Sequence, residues 1–371
     1  MRWNLADQAG WLDGNSVRLL MEITNLSTVP ANAAPALYVM VPGTSSPASM
    51  FRRFRVIANG SAVLEDIDNY GRTFQIMSDL LPSNRKMVNI GKAWGGDASA
   101  AELGNPETQD NIAAGTSRTV CVQLLSSFLS QGKMIPLSML PITIELELDD
   151  MGACFTQPTG PVSWEITRPR LVASVCDLDQ TLNNSYAKHL LDGKRLPLYM
   201  HGMYSVVSSI PSTAQFTFPI ARGFTRLSGL YMSFYDQGSW TTRFYSPNNT
   251  GANTQALDTM QWNITIGSER WPSFDGDSHQ ESFYRLRQAT QAHLGNDVYG
   301  FPPYKYLHDK FIVGQTLEKA PGQSSHTGVN TRSGSQLTLN FKNLGNATMI
   351  HVILHYEQIV NLSAAGVEVL D

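Results

Sequence analysis

Apolar and polar residues alternate with a period of two along most of this chain, and such a pattern suits few folds other than all-β ones. In SVRLLMEIT, residues 16–24, the alternating apolar positions are Val17, Leu19, Met21 and Ile23. Successive side chains of a β-strand point to opposite faces, so this spacing predicts a half-buried strand. Similar runs recur as far as SQLTLNFKN and ATMIHVILHYEQIV, and together they predict about a dozen strands.

The composition agrees with short strands joined by many turns. Charged residues make up only 16% of the 371 positions, and turn signals such as NG, SPNNTG and SGS separate many of the apolar runs. With 42% hydrophobic content, a chain of this length buries a large core, either as two domains or as one large all-β unit. We therefore predict an all-β protein and not a helical bundle.

Three segments carry apolar residues at steps of three and four instead, as amphipathic helices do. The first precedes Pro82, the second has Asp179 as N-cap and Gly193 as stop, and the third ends at Gly295. We expect each helix to pack on a sheet. The predicted inner stripes are Ile67, Tyr70, Phe74, Met77 and Leu81 in the first, Leu182, Tyr186 and Leu190 in the second, and Phe283, Leu286 and Ala289 in the third.

The two halves of the chain carry a similar order of elements. The first and third helices occupy corresponding places, and each half ends with a strongly alternating run, PITIELELDD or MIHVILHYEQIV. No residue-level repeat accompanies this likeness, so it concerns architecture alone. It predicts two tandem β domains, 1–178 and 179–371, with the second helix at their junction.

The charge distribution argues against a nucleic-acid-binding protein. The formal net charge is -4, the pI is near 6.1, and no run of Lys and Arg forms a basic arm. In the densest basic spot, FRRFR at 51–55, Arg53 and Arg55 alternate with a phenylalanine, which is typical of a polar strand face. The sequence shows no membrane-span or signal-peptide pattern, and its three cysteines fit neither a zinc knuckle nor a disulfide framework.

Glu145 and Glu147 share one strand face with Thr143 in PITIELELDD. The two carboxylates are roughly 6 to 7 Å apart at about 3.3 Å per residue, between the separations of retaining and inverting glycosidases. A glycosidase also needs an aromatic cleft and a buried carboxyl group, which the neighbouring sequence does not offer. We favour a solvated strand face over a catalytic pair. The inward face would then consist of Ile142, Ile144, Leu146 and Leu148.

The last alternating run raises the same question for a metal site. His351, His355 and Glu357 share one face, and imidazole and carboxylate groups suit zinc or a redox metal in a cupin-like barrel. In such barrels the ligands point inward, whereas here they lie opposite the apolar face. The sequence favours a polar outer surface or subunit contact for these three residues, with the following residues pointing inward: Ile350, Val352, Leu354 and Tyr356.

Other chemical motifs are weak. The chain has no G-x-S-x-G, Walker, G-x-G-x-x-G or H-E-x-x-H motif, and His189 and His201 have no evident nucleophile partner. The DGD triplet at 275–277 lacks EF-hand spacing and is more typical of a helix cap than of a calcium site. We predict no catalytic residues, no metal and no cofactor.

The loop at 237–256 combines Trp240, Phe244 and Tyr245 with SPNNTGANT. Long loops are uncommon unless they have a function, and exposed aromatic residues stack on sugars or fill a partner's pocket. A surface projection that contacts a partner or receptor is one role for such a loop, and the sequence leaves this role open. The loop also supports the main alternative function, a lectin-like or adhesin β-sandwich, while Glu145 and Glu147 support a jelly-roll glycoside hydrolase less well.

Four stretches resemble the double jelly-roll major capsid proteins of double-stranded DNA viruses, especially divergent forms from protist viruses. They are WLDGNSVRLLMEITN, SSFLSQGKMIPLSMLPITIELEL, VCDLDQTLNNSYAKHLLDGKRLPL, and FTRLSGLYMSFYD with SGSQLTLNFKNLGNATMIHVILHYEQIVNL. The resemblance implies two tandem jelly-roll sandwiches with a few short helices. It also implies a homotrimer of pseudo-hexagonal outline that tiles an icosahedral shell.

The resemblance further implies where the protein works and with what. Its partners would be neighbouring trimers and minor capsid and vertex proteins, with no direct nucleic-acid binding. It would reside in the virion after assembly inside the host cell, without a signal peptide. Family members often carry more chain ahead of WLDGNSVRLL, so we expect that Met1 is not the natural start. The chain is also shorter than many relatives, which speaks against large surface towers.

Overall fold

Two compact units make up the described part of the chain. The computed structural model describes residues 1–6, 10–35, 41–42, 47–80, 112–150, 154–156, 163–211, 215–236, 240, 260–294, 306, 311–318, 328–332, 334–345 and 347–371. Of these, residues 1–75, 112–202 and 358–370 form the first unit, and residues 76–80, 203–357 and 371 form the second. The domain limits 1–178 and 179–371 stay a prediction.

The first unit is built from antiparallel strands. Its strands are β1 (Arg2–Leu5), β2 (Gly10–Leu12), β3 (Arg18–Asn25), β4 (Val41–Pro42), β5 (Phe51–Ala58), β6 (Ala62–Asp68), β7 (Ser117–Gln123), β8 (Ile135–Pro136), β9 (Ile142–Leu148), β10 (Phe155–Thr156), β11 (Trp164–Val172) and β12 (Val175–Asp177). They form sheets in the orders β1-β9-β5-β6, β11-β3-β7, β12-β2-β8 and β10-β4. Helix α1 (Tyr70–Asp79) follows β6, and helix α2 (Gln180–Leu191) follows β12.

Strand β3 shows how the alternating sequence produces a half-buried strand. Three of the four predicted inward residues lie in this strand and the fourth, Val17, directly precedes it; all four, from Val17 to Ile23, are at most 2% exposed. The residues between them are partly exposed. Antiparallel pairing with β7 and β11 places Leu19 opposite Val122 and Leu171, so apolar residues meet across the sheet. The strand predicted here is confirmed.

Strands β5 and β9 form the centre of the four-stranded sheet. Phe54 lies opposite Leu146 and Val56 opposite Ile144, and all four side chains are at most 1% exposed. The Phe54 ring stacks on Tyr70 of α1 with ring centroids 5.2 Å apart. The apolar face of this sheet therefore packs against the start of the helix.

Helix α1 is buried all round and not only along one stripe. The described members of its predicted apolar stripe are buried, but so are the polar Arg72 and Thr73, each at 0% exposure. Ile67 was expected in that stripe and lies instead in β6, because the helix begins only at Tyr70. The predicted end at 81–82 lies outside the described residues.

The second unit contains the remaining strands. They are β13 (Leu196–Ser209), β14 (Gln215–Ile220), β15 (Leu227–Tyr235), β16 (Gln261–Ile266), β17 (Glu269–Gly276), β18 (Ile312–Thr316), β19 (Leu337–Lys342) and β20 (Met349–Ser363), of which the first residues of β13 and the last of β20 belong to the first unit. Strand β21 (Gly366–Leu370), in the first unit, pairs with β20. The sheet orders are β13-β20-β15-β18 and β14-β19-β16-β17.

The two sheets of the second unit pack face to face. Phe234 of β15 meets Phe341 of β19 edge-on, with ring centroids 5.6 Å apart and an interplanar angle of 85°. On the same side, Met232 lies opposite Val352, and both are fully buried. Aromatic edge-to-face packing of this kind adds to the burial of apolar area in a sandwich core.

Helix α3 (His279–Leu294) packs on β18, at the edge of the first of these sheets. A Cβ added to Gly314 would lie 2.8 Å from Leu286 Cδ1, 3.1 Å from Leu286 Cα and 3.2 Å from Tyr231 Cδ1. The helix thus approaches the strand more closely than any residue with a side chain would permit. Leu286 and Ala289 are fully buried as predicted. The predicted stop at Gly295 lies outside the described residues.

Candidate functional site

The outer face of the β1-β9-β5-β6 sheet carries the two glutamates that a hydrolase would need. Glu145 lies opposite Arg55 in the register, and its carboxylate pairs with Arg55 at 2.8 Å and with Arg2 at 3.4 Å. Glu147 lies opposite Arg53 and is exposed. A shallow depression of about 360 Å³ over this face is lined by the same charged residues. Cross-strand ion pairs of this kind are typical of a polar sheet face. Neither carboxylate lies in an aromatic cleft such as a glycosidase needs.

Two residues of β9 depart from the predicted alternation. Leu148, expected to point inward, is 43% exposed, because the register of β9 with β5 shifts between Phe51 and Arg53 at this end of the strand. Thr143, expected on the solvated face, is only 7% exposed and donates a hydrogen bond to Asn4 Oδ1 at 2.9 Å. Pairing with β1 covers that position.

The basic FRRFR segment lies in β5, and its two alternating guanidinium groups are paired within the sheet. Arg53 donates to both carboxylate oxygens of Asp66, at 2.7 and 2.6 Å. This hydrogen-bonded carboxylate raises the pKa of Arg53 despite partial burial. The segment is thus a polar strand face whose guanidinium groups bind neighbouring carboxylates.

The prediction that one face of β20 forms an outer surface is wrong. His351, His355 and Glu357 are 0%, 5% and 6% exposed, so the strand is buried on both faces. His351 Nε2 lies 2.8 Å from the Ser205 hydroxyl oxygen of β13, and the His355 ring packs edge-on against Tyr231 at 5.3 Å. These three side chains belong to the interior of the unit.

Helix α3 covers the part of this face around Tyr231, which contacts His355, whereas His351 contacts Ser205 and Trp240. Tyr231 and His355 share one face of the sheet in the register of β15 and β20, and Tyr231 is also the neighbour of Gly314 beneath Leu286. The helix therefore lies over the face that the sequence assigned to solvent. Among the described residues, no group of three or more His, Cys, Asp or Glu side chains is arranged to hold a metal ion.

The DGD triplet belongs to a network of side chains on the outer face of the β14-β19-β16-β17 sheet. Asp275 accepts a hydrogen bond from Asn263 Nδ2 at 2.8 Å, pairs with Arg270 and lies 3.6 Å from Lys342 Nζ. The helix cap predicted for this triplet is provided by Ser278 instead, whose hydroxyl accepts from Glu281 N at 3.1 Å. A serine three residues before a glutamate is a frequent start signal of helices.

The middle of that outer face carries amide and hydroxyl groups. Asn340 Nδ2 donates to Asn263 Oδ1 and to Thr265 Oγ1, both at 3.0 Å, and Asn340 Oδ1 accepts from Thr217 Oγ1 at 3.1 Å. We call Thr217, Asn263, Thr265 and Asn340 the polar ladder. It crosses β14, β19 and β16 with uncharged groups that satisfy one another.

The loop at 237–256 lies outside the described residues, apart from Trp240. The Trp240 ring packs edge-on against Tyr235 at 5.3 Å and against His351 at 6.0 Å. This aromatic residue therefore contacts rings of its own unit. Phe244 and Tyr245 lie outside the described residues.

Glu65 of β6 is a buried polar residue that the sequence patterns did not indicate. Its carboxylate accepts hydrogen bonds from Ser126 Oγ at 2.5 Å, Ser127 N at 2.8 Å and Phe128 N at 3.4 Å. Burial raises the pKa of Glu65, and these hydrogen bonds partly oppose the rise. An acidic residue inside an alternating run is the one signal that could have pointed to it. Its partners all belong to one turn, so its role is to hold that turn on the sheet.

No protein-family model matches the sequence, and no curated protein matches it either. Solved structures do match. The PBCV-1 protein VP54, fitted into a cryo-EM reconstruction of the virophage Sputnik, has a TM-score of 0.62 and 9% identity over 99% of this chain and 91% of its own. A structure of the Sputnik virophage has a TM-score of 0.59 and 12% identity over 100% of this chain and 84% of its own. The Faustovirus major capsid protein has a TM-score of 0.56 and 9% identity over 98% and 87%.

The fold is a double jelly roll. The predicted fold class is confirmed, since the likeness extends over nearly the whole chain. None of the helices in the described ranges of this double jelly roll is long and apolar enough to cross a membrane. Both of these outer faces carry ion pairs, and the face on the second unit also carries the polar ladder.

Proposed function

We propose that this chain is a major capsid subunit. Three copies would form a trimer of pseudo-hexagonal outline, and trimers would tile an icosahedral shell. The observation that carries the proposal is the whole-chain likeness to capsid proteins, including the Faustovirus major capsid protein and a PBCV-1 capsid structure. The role is structural, and the chain would perform no chemistry.

The chemistry of the described residues supports a structural role. The two glutamates that a hydrolase would use are a partly buried partner of arginines and an exposed strand residue. The histidines that a metal site would use are packed inside the second unit. These side chains thus belong to cores and to self-paired polar faces, which suits a building block with rigid walls.

The partners of such a subunit are other proteins of a shell. We propose contacts with two further copies in the trimer, with neighbouring trimers, and with minor capsid and vertex proteins. An obligate trimer contact buries well over about 1,000 Å² per interface, whereas contacts between trimers are smaller and more polar. The protein would reside in the virion, after assembly inside the host cell, and would bind no nucleic acid directly.

The solution mass of the purified chain tests this proposal. We expect light scattering on a sizing column to give three times the subunit mass of 40.9 kDa. Negative-stain images of the same peak should show particles with a six-sided outline. A monomer that persists at high protein concentration and physiological salt would contradict the proposal, as would turnover of glycoside substrates by the wild type that Glu145→Gln abolishes.

A further inference from the structure

Helix α2 is exposed along most of its length. Of its residues only Leu190 is buried, whereas α1 is buried all round. Leu182 is 46% exposed and Leu191 is 80% exposed, although a helix on a monomer surface ordinarily turns its leucines toward the core. The predicted inner stripe is therefore wrong for Leu182.

The helix is nevertheless fixed to the unit. Asp179 caps its start by accepting from Thr181 N at 3.2 Å, as predicted, and Gly193 follows its end with φ of 77°. Trp11 of β2 holds the middle, because its Nε1 donates to Asn183 Oδ1 at 3.0 Å and its ring lies 4.8 Å from that of Tyr186. The exposed side chains are thus presented by an ordered element.

The strands next to the helix share this exposure. Strand β12 pairs with β2 beside Trp11 and has no buried residue. Five of the twelve large apolar side chains exposed in the described part of the chain fall within residues 172–199, a small part of the sequence. They are Val172, Val175, Leu182, Leu191 and Tyr199. We call residues 172–199 the connector surface. Its concentration of exposed apolar side chains is typical of an interaction surface.

Charge along the connector surface identifies its partner. Asp177 and Asp179 lie exposed at the start of α2, which is about 18 Å long at 1.5 Å per residue. Lys188 and Lys194 lie exposed near its end on either side of the exposed Asp192, so this end keeps an excess of one positive charge. Arg195 pairs with Glu368 of the same unit at 2.6 Å and does not add to the basic end. The connector surface therefore carries an acidic end and a basic end, and the two ends are too far apart to pair with each other. Such a surface is complementary to a copy of itself.

We propose that the connector surface is a contact between copies of this chain, in which the acidic start of α2 in one copy meets the basic end of α2 in the next. This rests on the proposed function and names the partner of one of its surfaces. In a closed ring of three, each copy uses its acidic end toward one neighbour and its basic end toward the other. Leu182 and Leu191 lose their exposure to water in the assembled ring.

Polar substitution of Leu191 tests the apolar part of this contact. Leu191→Gln keeps the size and helix propensity of the side chain, and we expect the concentration for half-dissociation of the trimer to rise at least about tenfold, since burial of one leucine is worth that much. Leu26→Gln is the matched control, because Leu26 is 45% exposed outside the connector surface. We expect this control variant to dissociate at the same concentration as the wild-type trimer. Analytical ultracentrifugation over a dilution series measures both, and circular dichroism checks that each variant is folded.

Charge reversal tests whether the partner is a second copy. Asp177→Lys alone places a new cation near Lys188 and Lys194 of the next copy, and Lys188→Glu with Lys194→Glu places new carboxylates near Asp177 and Asp179, so each should weaken the trimer. All three changes in one chain pair the new lysine with the new glutamates and should regain part of the lost affinity, although Asp179 still faces those glutamates. A combined variant as weak as its parents would overturn the proposal, as would Leu191→Gln that dissociates like the wild type. If the wild type is itself a monomer, the capsid proposal and this contact are both wrong; a trimeric wild type with unaffected variants refutes this contact alone.

Discussion

Substitution of Gly314 by alanine probes the helix that covers the second unit's sheet. The new Cβ would lie 2.8 Å from Leu286 Cδ1 and 3.1 Å from Leu286 Cα. A rotamer change of Leu286 moves Cδ1 away, but its backbone moves away only if α3 shifts as a whole from β18. Overpacking of this kind costs about 1–3 kcal/mol. For a unit of this size, about 2 kcal/mol corresponds to a fall in Tm of roughly 4–8 °C.

Thermal unfolding followed by circular dichroism, at one protein concentration for all samples, measures this loss. Gly223→Ala is the control, because its Cβ would lie 3.1 Å from Arg332 Cγ, an atom of a flexible side chain, and 3.3 Å from Arg332 Cα. We expect a clearly smaller fall in Tm there. If Gly314→Ala unfolds at the wild-type temperature, α3 does not approach the strand as described, and the explanation for the burial of His355 in β20 fails with it.

Two further substitutions concern the first unit. Burial raises the pKa of Glu65 in the folded protein above its value in the unfolded chain. The free energy of unfolding should therefore be highest below the unfolded-state pKa and should fall as the pH rises from that pKa to the folded-state pKa. Glu65→Gln does not ionise and should flatten this dependence; urea midpoints between about pH 4 and 8 check it, and parallel curves for both proteins would refute it. Glu145→Gln removes the partly exposed pairs with Arg55 and Arg2 and should cost about 1 kcal/mol or less. Glu147→Gln is its control in the same thermal assay, and a loss of several kcal/mol at Glu145 would contradict a surface role.

The sequence predicted strands well where one face of the strand meets solvent. Val17 to Ile23 alternates in burial as it alternates in polarity, because one face of β3 lies on the core and the other is partly exposed. The same reasoning failed for β20. His351 and His355 look like solvent-facing residues, yet segments distant in sequence cover them: Ser205 and Trp240 contact His351, and α3 lies over Tyr231 beside His355. A single strand's pattern does not reveal what packs on its second face.

In the helices, too, the polarity of a residue did not predict whether it is buried. Polar Arg72 and Thr73 of α1 are buried, while apolar Leu182 and Leu191 of α2 are exposed. Local signals were reliable where the cause is local, as for Asp179, whose side chain caps the first turn of α2. The fold itself was predicted from period-two runs and loose stretch-by-stretch resemblance. The solved structures that share it have 9–12% identity with this chain, so the pattern of polarity, more than particular residues, encodes it.

The ion pairs and the polar ladder of the outer faces should respond differently to dissolved ions. On the first unit, Arg55 and Glu145 attract each other through partly exposed charges, and added salt screens such forces as the Debye length shrinks from about 30 Å at 0.01 M to about 3 Å at 1 M. The polar ladder from Thr217 to Thr265 holds its strands by short hydrogen bonds between uncharged groups, which screening hardly reaches. High salt should therefore weaken the ion pairs on both outer faces, including the pair of Asp275 with Lys342, and leave the hydrogen bonds of the polar ladder in place.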